Sequence, residues 1–547
     1  MSREIELASE IISTRDKLIS ARSNFDSLFQ EIGDYVIPRK SNITSVKADG
    51  SRQMEYVYDS TAIHALELMA ASLNSSLTSQ SIRWFSLRPR NTDIANDNDS
   101  MKWMEQAAEQ IYFEYQISNF GAEFHEAYLD VGGFGTCAVI QEQGKDRLGR
   151  FRLIFKTIDI AEYRIQENEH GLADEIFRNL KYTAKQAAAK FGEKNIPDKI
   201  RSALQKDPYT LFEFVHAVRP RTMLDVKNEL MAYSSVYVSC DDRKIVSEGG
   251  YSEFPTAVAR WAKTSGEIYG RSPAMKALPD VRTINKAKEL ELKMWAKKID
   301  PPLLARDDGV IGSIRMTPGG ITYVRDSDSI TPINIAPSYE VSQIKSQEIR
   351  QSIRECFFAD QWQLPPFQGT PATATEIERR VEQMNRLLGP TVGRLGTELL
   401  EPTILRSFNI LLRANKFPEP PDVLKRELLE SDRPVEIEYL GPLARAQKST
   451  DVFAIQRWIE SLAPLISIRP ETADVVNTDK ISKINRERLG VPVDAMRGEK
   501  DVKNIRAARA QAIEEQNQQA MQAQQAQNAR DMAPLIKATG AGGQGEF

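Results

Sequence analysis

The chain has 547 residues, 41% hydrophobic and 27% charged, with 72 Lys and Arg against 76 Asp and Glu for a formal net charge of −4. One hydrophobic core rarely organises so long a chain, so several lobes are expected, and the mild acidity excludes a molecule that grips nucleic acid with its whole surface. No run approaches roughly 18 apolar residues, which excludes a membrane-spanning helix, and Met1-Ser2-Arg3-Glu4 opens a charged run where a secretory signal needs an apolar core, so the product is expected to stay in the cell that makes it.

Residues 1–37 read as one long helix, because Ile5, Ala8, Ile12, Leu18, Phe25, Leu28, Ile32 and Tyr35 recur at helical intervals until Pro38. A second helix is predicted over 60–79, N-capped by Ser60 or Thr61. It leads into the strand-like Trp84-Phe85-Ser86-Leu87. Helix is expected again over 101–131, ending at Gly132-Gly133, followed by strands Thr136–Gln141 and Phe151–Ile158 around a polar loop from Gly144 to Arg150. A short Ala-rich helix over 181–191 precedes β-rich segments at 210–219, 230–239 and 256–262.

A helix follows Pro273 and runs to about Ile299, where Pro301-Pro302 breaks it. Residues 303–335 have strand character around turns at Gly309, Gly312 and Pro318-Gly319-Gly320. A charged amphipathic helix follows over 339–358. Gln363–Thr375 is a Pro-, Gly- and Thr-rich loop without periodicity, and helix resumes from Glu376 to about Asn415, with kinks expected at Gly389-Pro390, Gly393, Gly396 and Pro402. The β-rich patch Val435–Leu440 precedes shorter helices. Residues 499–530 form an Ala-, Gln-, Arg- and Glu-rich helix with eight glutamines between Gln511 and Gln527, and the Gly-rich tail 540–545 is expected to be disordered. A long helix with so little apolar content is expected to bundle against copies of itself.

The chemistry of known enzymes is missing. There is no Gly-x4-Gly-Lys-Ser/Thr phosphate loop, no Gly-x-Ser-x-Gly elbow, and His125-Glu126 lacks the second His of a zinc-binding helix. Gly132-Gly133-Phe134-Gly135-Thr136 is read as the end of a helix and the start of a strand in preference to a phosphate turn. Asp241-Asp242 and Asp307-Asp308 are read as solvated pairs beside turns, and His64, His125, His170 and His216 as scattered core or surface residues. Cys137, Cys240 and Cys356, odd in number and far apart, are expected to be reduced and buried. The expectation is a protein that is not an enzyme and takes no cofactor and no metal.

Several short runs, in this order, carry a resemblance. They are Tyr58-Asp59-Ser60-Thr61-Ala62; Ala71-Ser72-Leu73-Asn74-Ser75-Ser76-Leu77-Thr78 leading to Trp84-Phe85; Gly133-Phe134-Gly135-Thr136; and Gly266-Glu267-Ile268-Tyr269-Gly270-Arg271-Ser272-Pro273. Pro301-Pro302-Leu303-Leu304, Pro318-Gly319-Gly320-Ile321, Thr373-Ala374-Thr375-Glu376-Ile377, and Arg394-Leu395 with Glu398 to Pro402 complete the set. Across about residues 25–440 the chain resembles the head-to-tail connector (portal) family of short-tailed, podovirus-like phages, and the C-terminal third matches in general character only.

That resemblance implies an α+β, mainly helical portal fold with wing, stem, clip and crown regions and a C-terminal helical barrel. The wing would occupy 1–274, the first stem helix 275–299, the β-rich clip 300–336 and the second stem helix 337–362. The tunnel loop would be 363–375, with Pro365, Pro366, Phe367, Gln368, Gly369 and Thr370 at its centre. Residues 376–445 would return through a long helix and strand of the wing, 446–498 would form the crown, and 499–547 the barrel helix and tail. It also implies a homo-oligomer of about twelve, forming the channel for packaging and ejection of double-stranded DNA without sequence specificity. The partners would be the terminase large subunit, a tail adaptor protein, and capsid and scaffold proteins, with no membrane. Its place would be the portal vertex of the virion, reached through the host cytoplasm during assembly.

The residues themselves support a channel at one point. In the helix 276–298, Arg282, Lys286, Lys293 and Lys297 fall within about a 60° arc at ~100° per residue. Leu278, Val281, Ile284, Leu292, Trp295 and Ile299 take the other side. One face would pack on a neighbour and the other would offer a cationic stripe, which an ordinary solvated face partly neutralised by Glu289 would also explain. Twelve helices ~10 Å apart enclose a ring ~38 Å across, or ~28 Å inside the side chains. That admits a duplex about 20 Å wide, whereas six helices would not. The competing readings are a scaffold or internal head protein without a conduit, and a packaging motor, which would need the missing phosphate loop.

Overall fold

The computed structural model describes residues 3–539 except 46–47, 49, 92–93, 95–96, 226–230, 316–320, 334–338, 363–387, 432–433, 441–451, 453, 466–468 and 490–498. The chain divides into two compact units, Met1–Leu87 with Gln106–Glu419 and Ile437–Thr450, and Arg88–Glu105 with Pro420–Glu436 and Asp451–Phe547. Helix predominates over strand, and the eight described strand pairs between Thr136 and Pro332 are all antiparallel, the mixed α+β class that the sequence predicts.

The chain begins with α1 (Arg3–Tyr35) and α2 (Thr61–Leu77), then β1 (Phe85–Pro89). The predicted helix over 101–131 is two, α3 (Asn98–Ile117) and α4 (Phe120–Phe134), broken at Ser118-Asn119. There the Ser118 hydroxyl and the Asn119 side chain take over backbone partners, the competition that disfavours such residues inside helices. The helix also does not stop at Gly132-Gly133. A Cβ at either glycine would strike Leu66, Met69 or Ile37, so the two glycines let α2 and the segment just after α1 pack close. Gly135 supplies the cap, at φ +78°.

Strands β2 (Thr136–Lys145) and β3 (Phe151–Ile158) follow, then β4 (Tyr163–Glu167) and β5 (Ala173–Thr183). The helix predicted from 181 starts at Ala184, because Thr183 both ends β5 and forms a capping box with Gln186. Helices α5 (Ala184–Phe191) and α6 (Asp198–Lys206) lead to β6 (Leu211–Pro220), β7 (Tyr233–Ser239), β8 (Lys244–Tyr251) and β9 (Thr256–Arg260). Strands β4 to β8 lie in sequential order in one sheet, and β3-β2-β9 form another.

The five-stranded sheet is covered on both faces, which explains its short apolar runs. On one side Phe177, Val215, Ala217, Val236 and Val238 meet Leu7, Ala8 and Ile11 of α1. On the other, Leu180, Phe212, Phe214 and Val246 meet Ala184, Ala187, Phe191 and Ile200. Phe214 and Val215 thus face opposite ways, as the period of two requires, and each such buried side chain stabilises by ~1.5–3 kcal/mol.

Helix α7 (Pro273–Ile299) takes in the proline expected to precede it and ends where predicted, and α8 (Tyr339–Cys356) stops just short of the predicted 358. Between them lie β10 (Leu303–Ala305), β11 (Val310–Ile311), β12 (Tyr323–Val324) and β13 (Ile330–Pro332), paired β10 with β13 and β11 with β12. After Ala359–Trp362 (α9), helix is described again from 388. It widens into a π-turn at Gly396–Leu400 and continues as α10 (Glu401–Arg413). Of the cysteines, Cys137 is buried and Cys240 and Cys356 are only half-buried, a departure from the expectation.

The second unit contains α11 (Asp422–Glu430), a helix over 454–465, α12 (Thr478–Leu489) and α13 (Glu499–Thr539), separated from α11 by β14 (Val435–Tyr439). Arg506 of α13 makes two 2.6 Å bonds to Asp479 of α12. Ile505, Ile513 and Met521 are exposed, as the lack of an apolar stripe on α13 predicts. The tail 540–545 lies outside the described residues.

Candidate functional site

Three buried junctions within the first unit hold the start of α7, the α7–α8 pair and the π-turn, and each uses one of the short runs singled out in the sequence. At the first, Ser272 caps α7 by accepting from the Met275 amide at 3.0 Å, while its hydroxyl donates to the Gly133 carbonyl at 2.6 Å. Gly135 and Gly270 face each other so closely that a Cβ on either would strike the other's carbonyl oxygen. The Gly270 amide donates to Thr136 Oγ1 at 2.8 Å and the Trp261 amide to the Gly135 carbonyl at 2.9 Å. The run Gly132–Thr136 is therefore the seat of the loop that launches α7, and the reading of it as a helix end and strand start holds.

The second junction gathers α2, α7 and α8. Asn285, 3% exposed, accepts from the Tyr58 and Asp59 amides at 2.7 and 3.0 Å through one carbonyl oxygen. Asp59 Oδ1 accepts from the Thr61 amide at 3.0 Å, and Oδ2 takes two bonds from Arg350, at 2.9 and 2.8 Å. Burial works against the Asp59 charge, but the bonds from Thr61 and Arg350 outweigh it and hold the carboxyl below the usual range. Ser60 stands at the predicted N-cap position, but its side chain makes no capping bond, and the Thr61 amide is taken by Asp59 instead. Higher on the pair, the Ser352 hydroxyl donates to Asp280 at 2.8 Å.

At the third junction Arg260, 1% exposed, binds Glu398 of the π-turn through its amide at 3.0 Å and its guanidinium at 3.1 and 2.8 Å. The same guanidinium reaches Glu167, which Lys263 also holds at 2.7 Å. The Tyr439 hydroxyl donates to the Gly396 carbonyl at 2.9 Å, beside the turn. Sequence reasoning missed Asn285, Arg350, Arg260 and Glu167. The available signal was Arg260 itself, a charge closing an otherwise apolar strand, which must be paired if buried.

The stripe residues lie on α7 as expected, but they are not four bare cations. Arg282 stands 3.3 Å from Glu31, with about half of each side chain exposed. Lys286 at 2.9 Å and Lys293 both bind Glu289, whose carboxyl is driven down to about 2 by the hydrogen bonds from Lys293 and then Lys286. Lys297 is exposed and has no partner among the described residues. On the other side Leu278, Val281 and Ile284 are buried, whereas Leu292, Trp295 and Ile299 are 56%, 47% and 81% exposed. Below Asn285 the apolar side chains of α7 are therefore exposed, and Ile311, Tyr323 and Leu304 of the intervening strands are exposed as well.

The loop candidates Pro365, Pro366, Phe367, Gln368, Gly369 and Thr370 lie outside the described residues, as do Pro318-Gly319-Gly320 and Glu376-Ile377. Asp241 is paired with Lys199 at 2.8 Å, and among the described residues no three His, Cys, Asp or Glu side chains gather where they could hold a metal ion.

Two curated relatives are similar over most of their length. The probable portal protein of Bordetella phage BPP-1 is 27% identical over 496 residues, 88% of this chain and 87% of that protein. The portal protein of Salmonella phage epsilon15 is 26% identical over 508 residues, 89% and 88% of the two chains. Among solved structures, a chain from the virion of a native gene transfer agent particle aligns with 84% of this chain and 99% of its own, at 12% identity and a TM-score of 0.33. The family model described as bacteriophage head to tail connecting protein matches residues 8–496, and the chain belongs to that family.

Proposed function

We propose that about twelve copies of this chain form a portal ring at one vertex of a phage virion, assembled in the host cytoplasm. Double-stranded DNA would pass through its channel during packaging and ejection. In this reading α7 and α8 are the stem and β10–β13 the clip, which docks the terminase large subunit and later the tail adaptor. Residues 1–274 and 376–445 form the wing among capsid and scaffold proteins, 363–375 the tunnel loop, 446–498 the crown and 499–547 the barrel. The observation that carries it, given the family, is the exposure of Leu292, Trp295 and Ile299 on the side of α7 away from its cationic stripe. Such a face is stable in water only against another surface, and a ring of copies supplies one at every helix while turning the stripe inward.

Negative-stain microscopy of the purified chain tests the ring: a particle with a central hole is expected, and a rod or monomer would favour a scaffold or internal head protein. The stripe is tested by changing Arg282, Lys286, Lys293 and Lys297 to Gln. These exposed changes should each cost within about 0.5 kcal/mol, leaving rings that package or retain DNA differently and with weaker salt dependence. Unchanged retention at every ionic strength would make the stripe a solvated face.

A further inference from the structure

The β2–β3 pair runs beyond the sheet that anchors it. Strand β9 covers β2 only from Thr136 to Ile140, while β3 stays paired out to Lys145 opposite Phe151. The free end reads Lys145-Asp146-Arg147-Leu148-Gly149-Arg150-Phe151-Arg152, four cations and one carboxylate in a chain of net charge −4. Its turn is built rigidly. The Asp146 amide donates to the Arg150 carbonyl at 2.9 Å, the Gly149 amide to the Asp146 carbonyl at 3.0 Å, and Gly149 sits at φ +77°. The Asp146 carboxylate accepts from the Leu148 and Arg150 amides at 2.8 and 2.9 Å and from Arg150 Nε at 2.9 Å. The only acid of the tip is thus consumed in holding its shape. Lys145, Arg147 and Arg150 are exposed, the first two without a partner among the described residues, and Leu148 at the apex is 75% exposed. Lower down, Phe151 is held beneath Lys416 and Arg152 lends its charge to Glu114.

We propose that this ribbon tip is a second contact for duplex DNA, on the outside of the molecule and independent of any channel. Lys145, Arg147 and Arg150 would meet phosphates and Leu148 the floor of a groove. A two-stranded ribbon fits the major groove, which is ~12 Å wide and offers thymine methyls to an apolar tip. A pre-formed tip loses little freedom on binding. An acidic protein surface suits it less, because one leucine cannot supply the apolar centre of an interface of ~800 Å² a side. The choice of DNA as the polyanion rests on the portal reading, which puts the two in one particle.

The test uses the full-length protein and a relaxed, covalently closed circular duplex, which cannot thread a channel. Binding is followed by gel retention from 50 to 200 mM salt. The Lys145→Gln/Arg147→Gln variant leaves Arg150 and the turn in place. It should lower the slope of log affinity against log salt by about 2, at ~0.9 per phosphate contact, and weaken binding at least tenfold at low salt. The stem variant with Gln at 282, 286, 293 and 297 should bind circles like the parent, so the ribbon and channel readings fail separately. The proposal is overturned if the parent does not retain the circle, or if the ribbon variant retains it equally well. It is also overturned if the stem variant alone loses it, or if poly-glutamate of equal charge competes as well as DNA does, which would point to an acidic protein.

Discussion

Replacing Arg260 by Met tests whether the third junction is a true clamp. The guanidinium is 1% exposed and holds two carboxylates, Glu398 at 11% and Glu167 at 16% exposure. Glu167 would keep Lys263, at 2.7 and 2.8 Å. Among the described residues Glu398 would keep only the backbone amide of residue 260 and a distant Arg394, 4.0 Å away. The perturbation therefore strands one buried carboxylate, and breaking a buried pair in this way costs about 3–5 kcal/mol. Methionine roughly preserves the packed volume, so the loss should be electrostatic and should be recovered by removing the partner. Urea unfolding followed by tryptophan fluorescence at pH 7 would measure it, and the Arg260→Met/Glu398→Met double variant would complete the cycle with a coupling of ~2 kcal/mol or more. Amide exchange across 396–400 should quicken in the single variant, because the π-turn loses its anchor. A loss under about 1 kcal/mol, or a double variant equal to the sum of the singles, would refute the clamp.

Gly135→Ala meets both a left-handed backbone and the Gly270 carbonyl, so a loss of ~3 kcal/mol or more is expected in the same unfolding assay. Arg350→Met should be costly at neutral pH and less so in acid: the depressed Asp59 pKa contributes stability that is present above the ordinary ~3.9 and lost as pH falls through its folded value. His216 is buried against Tyr237, with a ring pKa pushed well down by burial and then by Arg178 and Lys190, so the unfolded chain alone takes up a proton below ~6.5. Relative to His216→Phe, the parent should lose about 1.4 kcal/mol per pH unit between pH 6 and 5, and parallel pH curves would contradict this. Removing 499–547 should leave rings intact by microscopy, because the exposed apolar side chains of α7 lie elsewhere.

How legible the molecule was depends on what carried each signal. Helix α7 was legible to within a residue or two because Pro273 and Pro301-Pro302 punctuate it by local sterics alone. Strands β4, β5 and β8 and helix α6 were missed because the sheet is covered on both faces and edged with charges, so no clean alternation survives. The junctions were half-visible. Their glycines and Asp59 stood out as short runs, but the partners Asn285, Arg350 and Arg260 lie 226, 291 and 138 residues from Asp59 or Glu398, a separation that no local pattern encodes. The stripe was legible as a helical arc, whereas its neutralisation by Glu31 needed the fold.

That neutralisation changes the electrostatic argument for the channel. Four cations per chain become two net charges once Glu289 and Glu31 are counted against them. A ring of about twelve would then line its bore with about 24 net positive charges in place of about 48. If each bare cation met a phosphate, the salt dependence would be very steep and the duplex held hard, since each contact adds ~0.9 to the slope. With Lys286 and Lys293 sharing one carboxylate, a phosphate must compete with Glu289 for each lysine, and a lysine released by one phosphate returns at once to its partner. In the proposed ring the bound and unbound states of the wall would then come close in energy, which is what a conduit needs if the duplex is to advance without a trap at every step. The same logic makes Glu289→Gln the opposite perturbation to the stripe variant. It keeps all four cations and unmasks two, so DNA should be retained more tightly, with a steeper salt dependence and slower release. Release from the Glu289→Gln ring at the parent's rate and salt slope would mean that Glu289 does not gate these lysines against DNA.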